Sequence, residues 1–394
     1  MGHSIEVAHH GVAAQVRLSP STGLRVALAL LASVFGLVMA LPPSALAAVA
    51  VNDPLFSQQW GLQQIGAPNA WSFATGKNVT VGIVDTGIDL GHQDLAGKVV
   101  ASTNCIGANA DPTKCTGSAQ DDNGHGTHVA GIIAADTNNG TGIAGVAPDA
   151  KLLVAKALDG TGAGADADVE AGIEWVVNKG AQVVNLSLGD GGTLPLGLGG
   201  TTGLSQPLLD GINYAWQHGA VPVLAAGNTG FGVGSGLLGQ LLGATAAYGT
   251  LTALIVGATG PTGAVANYSS QLTSDNWAVV APGGANDGNK ADDVMSTYWV
   301  NGKTNQYTTL AGTSMATPHV TGAVADLLSM GYTQGGAVSQ ILSSADKGVA
   351  CGQACSGLLD LSKAVGGPAT PAPSGAGAAS SPNPLVALLN ALGI

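Results

Sequence analysis

Three short stretches place an aspartate, a histidine and a serine on glycine-flanked turns. They are Val84-Asp85-Thr86-Gly87, His125-Gly126-Thr127-His128 and Gly312-Thr313-Ser314-Met315-Ala316-Thr317-Pro318. A serine hydroxyl is a weak nucleophile until a neighbouring base takes its proton. An imidazole suits that task because its reference pKa, about 6.5, lies near working pH. A carboxylate on the far ring nitrogen fixes the tautomer and steadies the cation that forms. The order Asp, His, Ser is one of the chain orders in which this set recurs on unrelated folds. Other chemistries fit less well. A carboxylate dyad needs two Asp-Thr-Gly-like turns, and the chain has one. His125 and His128 have helical spacing for a metal pair, but no glutamate-containing zinc motif accompanies them.

The surrounding residues form the elements that must position this set. Val79-Thr80-Val81-Gly82-Ile83-Val84 reads as a buried parallel strand, so Asp85 falls at the carboxyl edge of a sheet, where open α/β folds build their sites. His125 opens a small-residue helix over 126–135, and Ser314 opens another that continues through Ala323-Val324-Ala325-Asp326-Leu327-Leu328. Pro318 is read as lying in the first turn, whose amides have no intrahelical partner. Further strand-like runs alternate with helical ones at 168–179 and 206–218, the pattern of one continuous α/β unit with a mostly parallel sheet.

On these motifs the chain resembles the subtilisin-like serine proteases, the subtilases, and within them the thermitase-like secreted branch, over roughly residues 53–366. The resemblance implies a three-layer α/β fold with helices flanking a mostly parallel central sheet. It gives Ser314 the role of nucleophile, His125 that of general base and acid, and Asp85 that of orienting carboxylate. Asn228, in Ala225-Ala226-Gly227-Asn228 after an apolar run, matches the family's side-chain donor to the oxyanion, beside the Ser314 amide. Gly162, Ala163 and Gly164 match one edge of the substrate cleft, and Ser187, Leu188 and Gly189 the wall of the primary specificity pocket. Small residues suit both, because an extended peptide must approach their main chain. The resemblance also implies a structural Ca²⁺ held by Asp53, Asp94, the side chain of Asn139 and the carbonyls of Asp136, Thr141 and Ile143. Those are the oxygen donors a hard cation prefers.

Two features depart from the family pattern. No long pro-segment separates the N-terminal apolar stretch from Asn52-Asp53-Pro54, so folding without one, or help from a folding helper or inhibitor acting in trans, is expected. Gly/Leu-rich insertions at 190–204 and 231–244 border the specificity wall and follow Asn228, which leaves side-chain preference open.

Composition limits the setting. With 24 acidic against 12 basic residues the net charge is −12, which disfavours nucleic acid and anionic membrane surfaces as partners. Arg17 and Arg25, the apolar stretch 26–40 and Ala45-Leu46-Ala47 read as a secretory signal over 1–47, cut after Ala47, with an uncleaved membrane anchor as the alternative. The catalytic domain is expected over 48–367, followed by a Pro/Ala/Ser/Gly linker and short apolar tail over 368–394. Four cysteines fit an oxidising compartment and are expected to pair locally, Cys105 with Cys115 and Cys351 with Cys355. The expected activity is endopeptidase action of a secreted monomer on protein or peptide substrates. The rivals are a processing protease with one substrate and a catalytically silent scaffold on the same fold.

Overall fold

The computed structural model describes residues 48–188, 204–228, 251–270, 272, 277–352 and 355–366. The expectations for the N-terminal signal, the two insertions, the C-terminal tail and Gly189 lie outside the described residues. Valine-, isoleucine- and leucine-rich runs form β1 (Thr80–Asp85), β2 (Val99–Asn104), β3 (Lys151–Lys156), β4 (Val183–Leu186), β5 (Val221–Ala225), β6 (Leu254–Thr259) and β7 (Ala278–Pro282). An antiparallel hairpin of β8 (Val294–Val300) and β9 (Lys303–Leu310) stands apart, and β10 (Cys355–Leu358) closes the main sheet. The main sheet has eight strands in the order β10-β7-β6-β5-β4-β1-β3-β2, every neighbouring pair parallel.

The helices are α1 (Trp60–Gln64), α2 (Ala67–Ala70), α3 (His125–Ala134), α4 (Asp166–Asn178), α5 (Gln206–Gln217), α6 (Thr313–Ser329), α7 (Gln334–Ser344) and α8 (Leu361–Ala364). Alternation along the strands sends Val81, Ile83, Val154, Val223 and Val256 into one apolar core with α3 and α6. Val84, Leu153, Val184, Leu186 and Ile255 face a second core with α4 and α5. Both sheet faces are therefore covered, which is why the strands read as unbroken apolar runs. The three-layer α/β arrangement is as expected, and helix boundaries differ from the sequence reading by one or two residues.

The topology fixes where chemistry can sit. The chain leaves β1 toward β2 and leaves β4 toward β5, in opposite directions, although β1 and β4 are hydrogen-bonded neighbours. A crevice opens beyond the carboxyl ends of strands at such a reversal. Asp85 ends β1 and Ser187 follows β4 at that place.

One expectation is corrected. Because α6 begins at Thr313, Pro318 is its sixth residue and lies inside the helix, beyond the first turn. Its missing N–H would otherwise donate to the carbonyl of Ser314, four residues earlier. Both local disulfides form as expected, Cys105–Cys115 and Cys351–Cys355, and no free cysteine remains among the described residues.

Candidate active site

Asp85 is fully buried at the end of β1, and His125 is the first residue of α3. Asp85 Oδ1 lies 2.8 Å from His125 Nδ1 and also accepts the N–H of Thr86 at 2.7 Å. A carboxylate only accepts, so Nδ1 carries the ring proton and Nε2 is left as the basic nitrogen. Burial works against the imidazolium, but the Asp85 carboxylate and its hydrogen bond outweigh it. Asp121 adds to them, and the His125 pKa is raised above 6.5. The side chain stays 26% exposed, open to a substrate.

The turn that presents His125 is organised by Asp121, which the sequence reading did not single out. Its buried carboxylate accepts from the Thr86 hydroxyl (2.9 Å), the N–H groups of Asn123 (3.0 Å), Gly124 (2.9 Å) and Thr127 (3.0 Å), and the Thr127 hydroxyl (2.5 Å). Burial would raise its pKa, but these donors lower it below the usual carboxylate value. The signal was present in Asp121-Asp122-Asn123-Gly124, acceptor side chains ahead of a helix start. Thr86 completes the clasp by accepting the N–H of Gly126 at 2.9 Å. Gly126 must be glycine, since a Cβ there would lie 2.1 Å from the Gly87 carbonyl oxygen.

Ser314 is the second residue of α6, whose N-terminus reaches the same edge of the sheet. Its hydroxyl donates to the Ser187 carbonyl at 3.2 Å, and no hydrogen bond joins it to His125 among the described residues. Such bonds commonly form only once substrate is in place. Asn228 Oδ1 accepts the N–H and the hydroxyl of Thr313, at 2.9 and 3.0 Å. The Thr313 N–H can only donate, so the amide oxygen must face it and Nδ2 faces away. A Cβ built on Gly312 would meet Asn228 Nδ2 at 3.5 Å and the Ser314 backbone nitrogen at 3.7 Å. Two donors thus border one small space beside the serine, kept clear by a glycine.

Of the segments expected to form the substrate walls, one is bonded to Ser314 and the other to the turn before α3. Ser187 and Leu188 continue from β4, and Ser187 is tied to Ser314 by two hydrogen bonds. The segment with Gly162, Ala163 and Gly164 folds on Asp159, which accepts the N–H of Ala163, while Asn123 Nδ2 donates to the Gly160 carbonyl at 3.2 Å. That bond joins the cleft edge to the turn carrying His125. Buried Lys156 braces the same region through the carbonyls of Thr86 and Leu158 and the carboxylate of Asp122.

His128 and His319 are held away from the site by backbone carbonyls. His128 Nε2 faces the carbonyls of Val294 and Thr308, and burial pushes its pKa down to about 3. His319 Nδ1 faces the carbonyl of Met315, with burial lowering its pKa to about 4.

The residues expected to hold Ca²⁺ gather around the loop after α3. Asp53 accepts the N–H groups of Asn138, Asn139 and Gly140, and Asp94 accepts from Asn139 Nδ2 and the N–H of Ile143. Thr141 N–H donates to Asn139 Oδ1, and the Asp136 carboxylate pairs with Lys98. Asp53 and Asp94 are both buried, and neither forms an ion pair with Lys or Arg among the described residues. Burial raises the Asp94 pKa despite its hydrogen bonds. Asp94 also accepts the Tyr307 hydroxyl at 3.0 Å, and buried carboxylates that have hydrogen bonds but no cationic Lys or Arg partner, beside loop carbonyls, fit a hard divalent cation. No group of three or more His, Cys, Asp or Glu stands in position to hold a metal among the described residues, so a cation here would rely on carbonyl and amide oxygens.

A profile described as the subtilase family matches residues 76–346. The chain belongs to the subtilase family. This subtilase is 40% identical to thermitase of Thermoactinomyces vulgaris over 297 residues, covering 75% of the chain and 91% of that protein. It is 37% identical to a thermophilic serine proteinase of Bacillus sp. (strain AK1), covering 75% of the chain and 64% of that relative. A solved protease from Pseudoalteromonas arctica PAMC 21717 superposes with a TM-score of 0.64 at 30% identity, over 80% of this chain and 98% of that one. The subtilase is accordingly a serine endopeptidase of the thermitase-like kind. No described helix is long and apolar enough to cross a membrane.

Proposed function

We propose that this subtilase hydrolyses peptide bonds through Asp85, His125 and Ser314 by way of an acyl-enzyme, and that it works as a secreted monomer. The observation that carries the reading is the 2.8 Å bond between Asp85 and His125 in the same crevice as the N-terminus of α6. A peptide added along Ser187–Leu188 and Gly162–Gly164 brings its scissile carbonyl over Ser314. The serine hydroxyl leaves the Ser187 carbonyl, gives its proton to His125 Nε2, and its Oγ bonds to the carbonyl carbon. The oxyanion that forms enters the space between Asn228 Nδ2 and the Ser314 N–H. The C–N bond then breaks, His125 returns the proton to the leaving amine, and water repeats the sequence to free the acyl group. Asp85 holds the imidazole throughout and keeps its charge.

The buried carboxylates of Asp53 and Asp94, without a Lys or Arg partner among the described residues, support a structural calcium ion as the second part of the reading. Asp53, Asp94, the side chain of Asn139 and the carbonyls of Asp136, Thr141 and Ile143 would hold it. The ion supplies charge compensation and ties the N-terminal segment to the loop; it takes no part in the reaction.

The test is covalent labelling. Residues 48–394, produced by an oxidising export route with calcium, are treated with a fluorophosphonate beside the Ser314→Ala variant. Labelling of the wild type alone, together with casein cleavage, is the expected result. A folded wild type that takes no label would make the chain a scaffold.

A further inference from the structure

The carbonyl of the proposed nucleophile has lost its helical partner. In α6 the Ser314 C=O should accept the N–H of the residue four positions on, but that residue is Pro318, which has none. The proline ring also crowds the carbonyl four residues before it and tilts it outward. A backbone carbonyl left unpaired in a partly buried turn is destabilising, so another donor is needed in place of the lost one.

The replacement is the side chain of Ser187, whose Oγ lies 2.8 Å from the Ser314 carbonyl oxygen. The direction of every bond behind it can be worked out. A carbonyl only accepts, so the Ser187 hydroxyl must spend its hydrogen on Ser314. Asn185 Nδ2, 2.8 Å away, then donates to Ser187 Oγ, which places Asn185 Oδ1 opposite, where it accepts the Thr321 hydroxyl at 2.8 Å, a hydroxyl that also faces the Thr317 carbonyl at 3.1 Å. Asn185 and Thr321 are fully buried, in β4 and α6 respectively. The relay therefore starts in the body of α6, crosses to the central strand and returns to the first turn of the same helix. The peptide unit it holds is flanked by Ser314, whose N–H borders the space that Asn228 shares.

We propose that the Ser187 side chain, held by Asn185 and Thr321, is a positioning group for the nucleophile. It stands in for the N–H that Pro318 lacks and fixes the orientation in which Ser314 presents its hydroxyl and amide. This role belongs to the hydroxyl and is separate from any backbone contact of Ser187 with substrate. It rests on the assignment of Ser314 as nucleophile.

A double-mutant cycle tests it. Pro318→Ala restores an N–H at the position that would bond Ser314, so the need for Ser187 should fade in that background. The expected result is that Ser187→Ala lowers kcat about tenfold with KM little changed, as small misplacements of a reacting group do. In the Pro318→Ala background the same substitution should lower kcat less than about threefold. Thr321→Val, which leaves Ser187 in place but frees Asn185, should give a smaller loss in the same direction that Pro318→Ala also suppresses. It serves alone if Ser187→Ala fails to fold by circular dichroism. Equal losses in both backgrounds, an unchanged kcat, or a change in KM alone would overturn the proposal. Failure of the underlying assignment is distinguishable, because wild type would then take no fluorophosphonate label.

Discussion

Thr86 and Asp121 are joined by a 2.9 Å hydrogen bond that locks the end of β1 to the turn before α3. Thr86 also donates its N–H to Asp85 Oδ1, the oxygen that meets His125, and Asp121 holds the turn that presents the histidine. Asp121→Ala removes the acceptor for five donors, two of them side-chain hydroxyls. Buried donors left unpaired cost about 1–3 kcal/mol each before relaxation, so a loss of about 2–4 kcal/mol in unfolding free energy is expected. Because the Asp121 pKa is lowered in the fold, its contribution is present above the unfolded value of about 3.9 and is lost as pH falls through the folded value. Denaturant titrations of both proteins at pH 7 and at acid pH check this, and equal stability at pH 7 would refute the role.

Asn228→Leu keeps approximate size but removes the Nδ2 donor and the acceptor for Thr313. Turnover should fall about 10²–10³-fold with KM nearly unchanged, the loss known for the corresponding donor in a subtilisin itself. Steady-state kinetics on a peptide amide measure it. A variant with full kcat would move the oxyanion elsewhere.

The proposed mechanism requires His125 neutral, and its pKa is raised above 6.5. The acid limb of kcat/KM should therefore have its midpoint above 6.5, with activity lost as pH falls through it. Asp85→Asn should cut kcat by about 10⁴ by favouring the wrong tautomer. A pH–rate profile still flat at pH 4 is incompatible with His125 as base.

Asp326 lies near the C-terminal end of α6, fully buried, with no well-aligned hydrogen bond to either carboxyl oxygen. Burial raises its pKa well above 3.8; Asp149 adds to this, and the nearby Gly76 N–H offsets only part. The C-terminal end of a helix also disfavours an anion. Lys77 beside Gly76 is exposed, and α7 carries no ionisable residue. With the folded pKa raised, the contribution of this group is fully present below about pH 4 and is lost as pH rises through the folded value. Asp326→Leu should gain about 1–3 kcal/mol at pH 8 and little at pH 4. Thermal midpoints across that range decide it, and a gain independent of pH would point to packing alone.

Calcium should raise the thermal midpoint, and a chelator should lower it. At a hundredfold excess over the dissociation constant, binding to the folded state contributes about 2.7 kcal/mol. Asp94→Ala should abolish the difference between calcium and chelator. Identical midpoints for the wild type in both conditions would remove the ion from the account.

The chain by itself pointed to the groups proposed to react and roughly where each falls. Asp85 was legible because an unbroken β-branched run ends on it, and His125 and Ser314 because small residues and helix starts surround them. The parallel sheet followed from the same local patterns, the two local disulfides were favoured by cysteine spacing, and the helices on both faces were implied by the family resemblance. What folding alone decided is the set of long-range hydrogen bonds. Asp121 reads as an ordinary turn residue until Thr86, 35 positions earlier, is brought to its carboxylate. Thr321 reads as one more helix residue until Asn185, 136 positions away, accepts its hydroxyl. Pro318 was placed in a first turn because local rules cannot locate the start of a helix to the residue, and only the start at Thr313 exposes the orphaned carbonyl of Ser314. Periodicity and capping are local and therefore visible in order along the chain. A side chain acquires a positioning role only when the fold sets a partner opposite it.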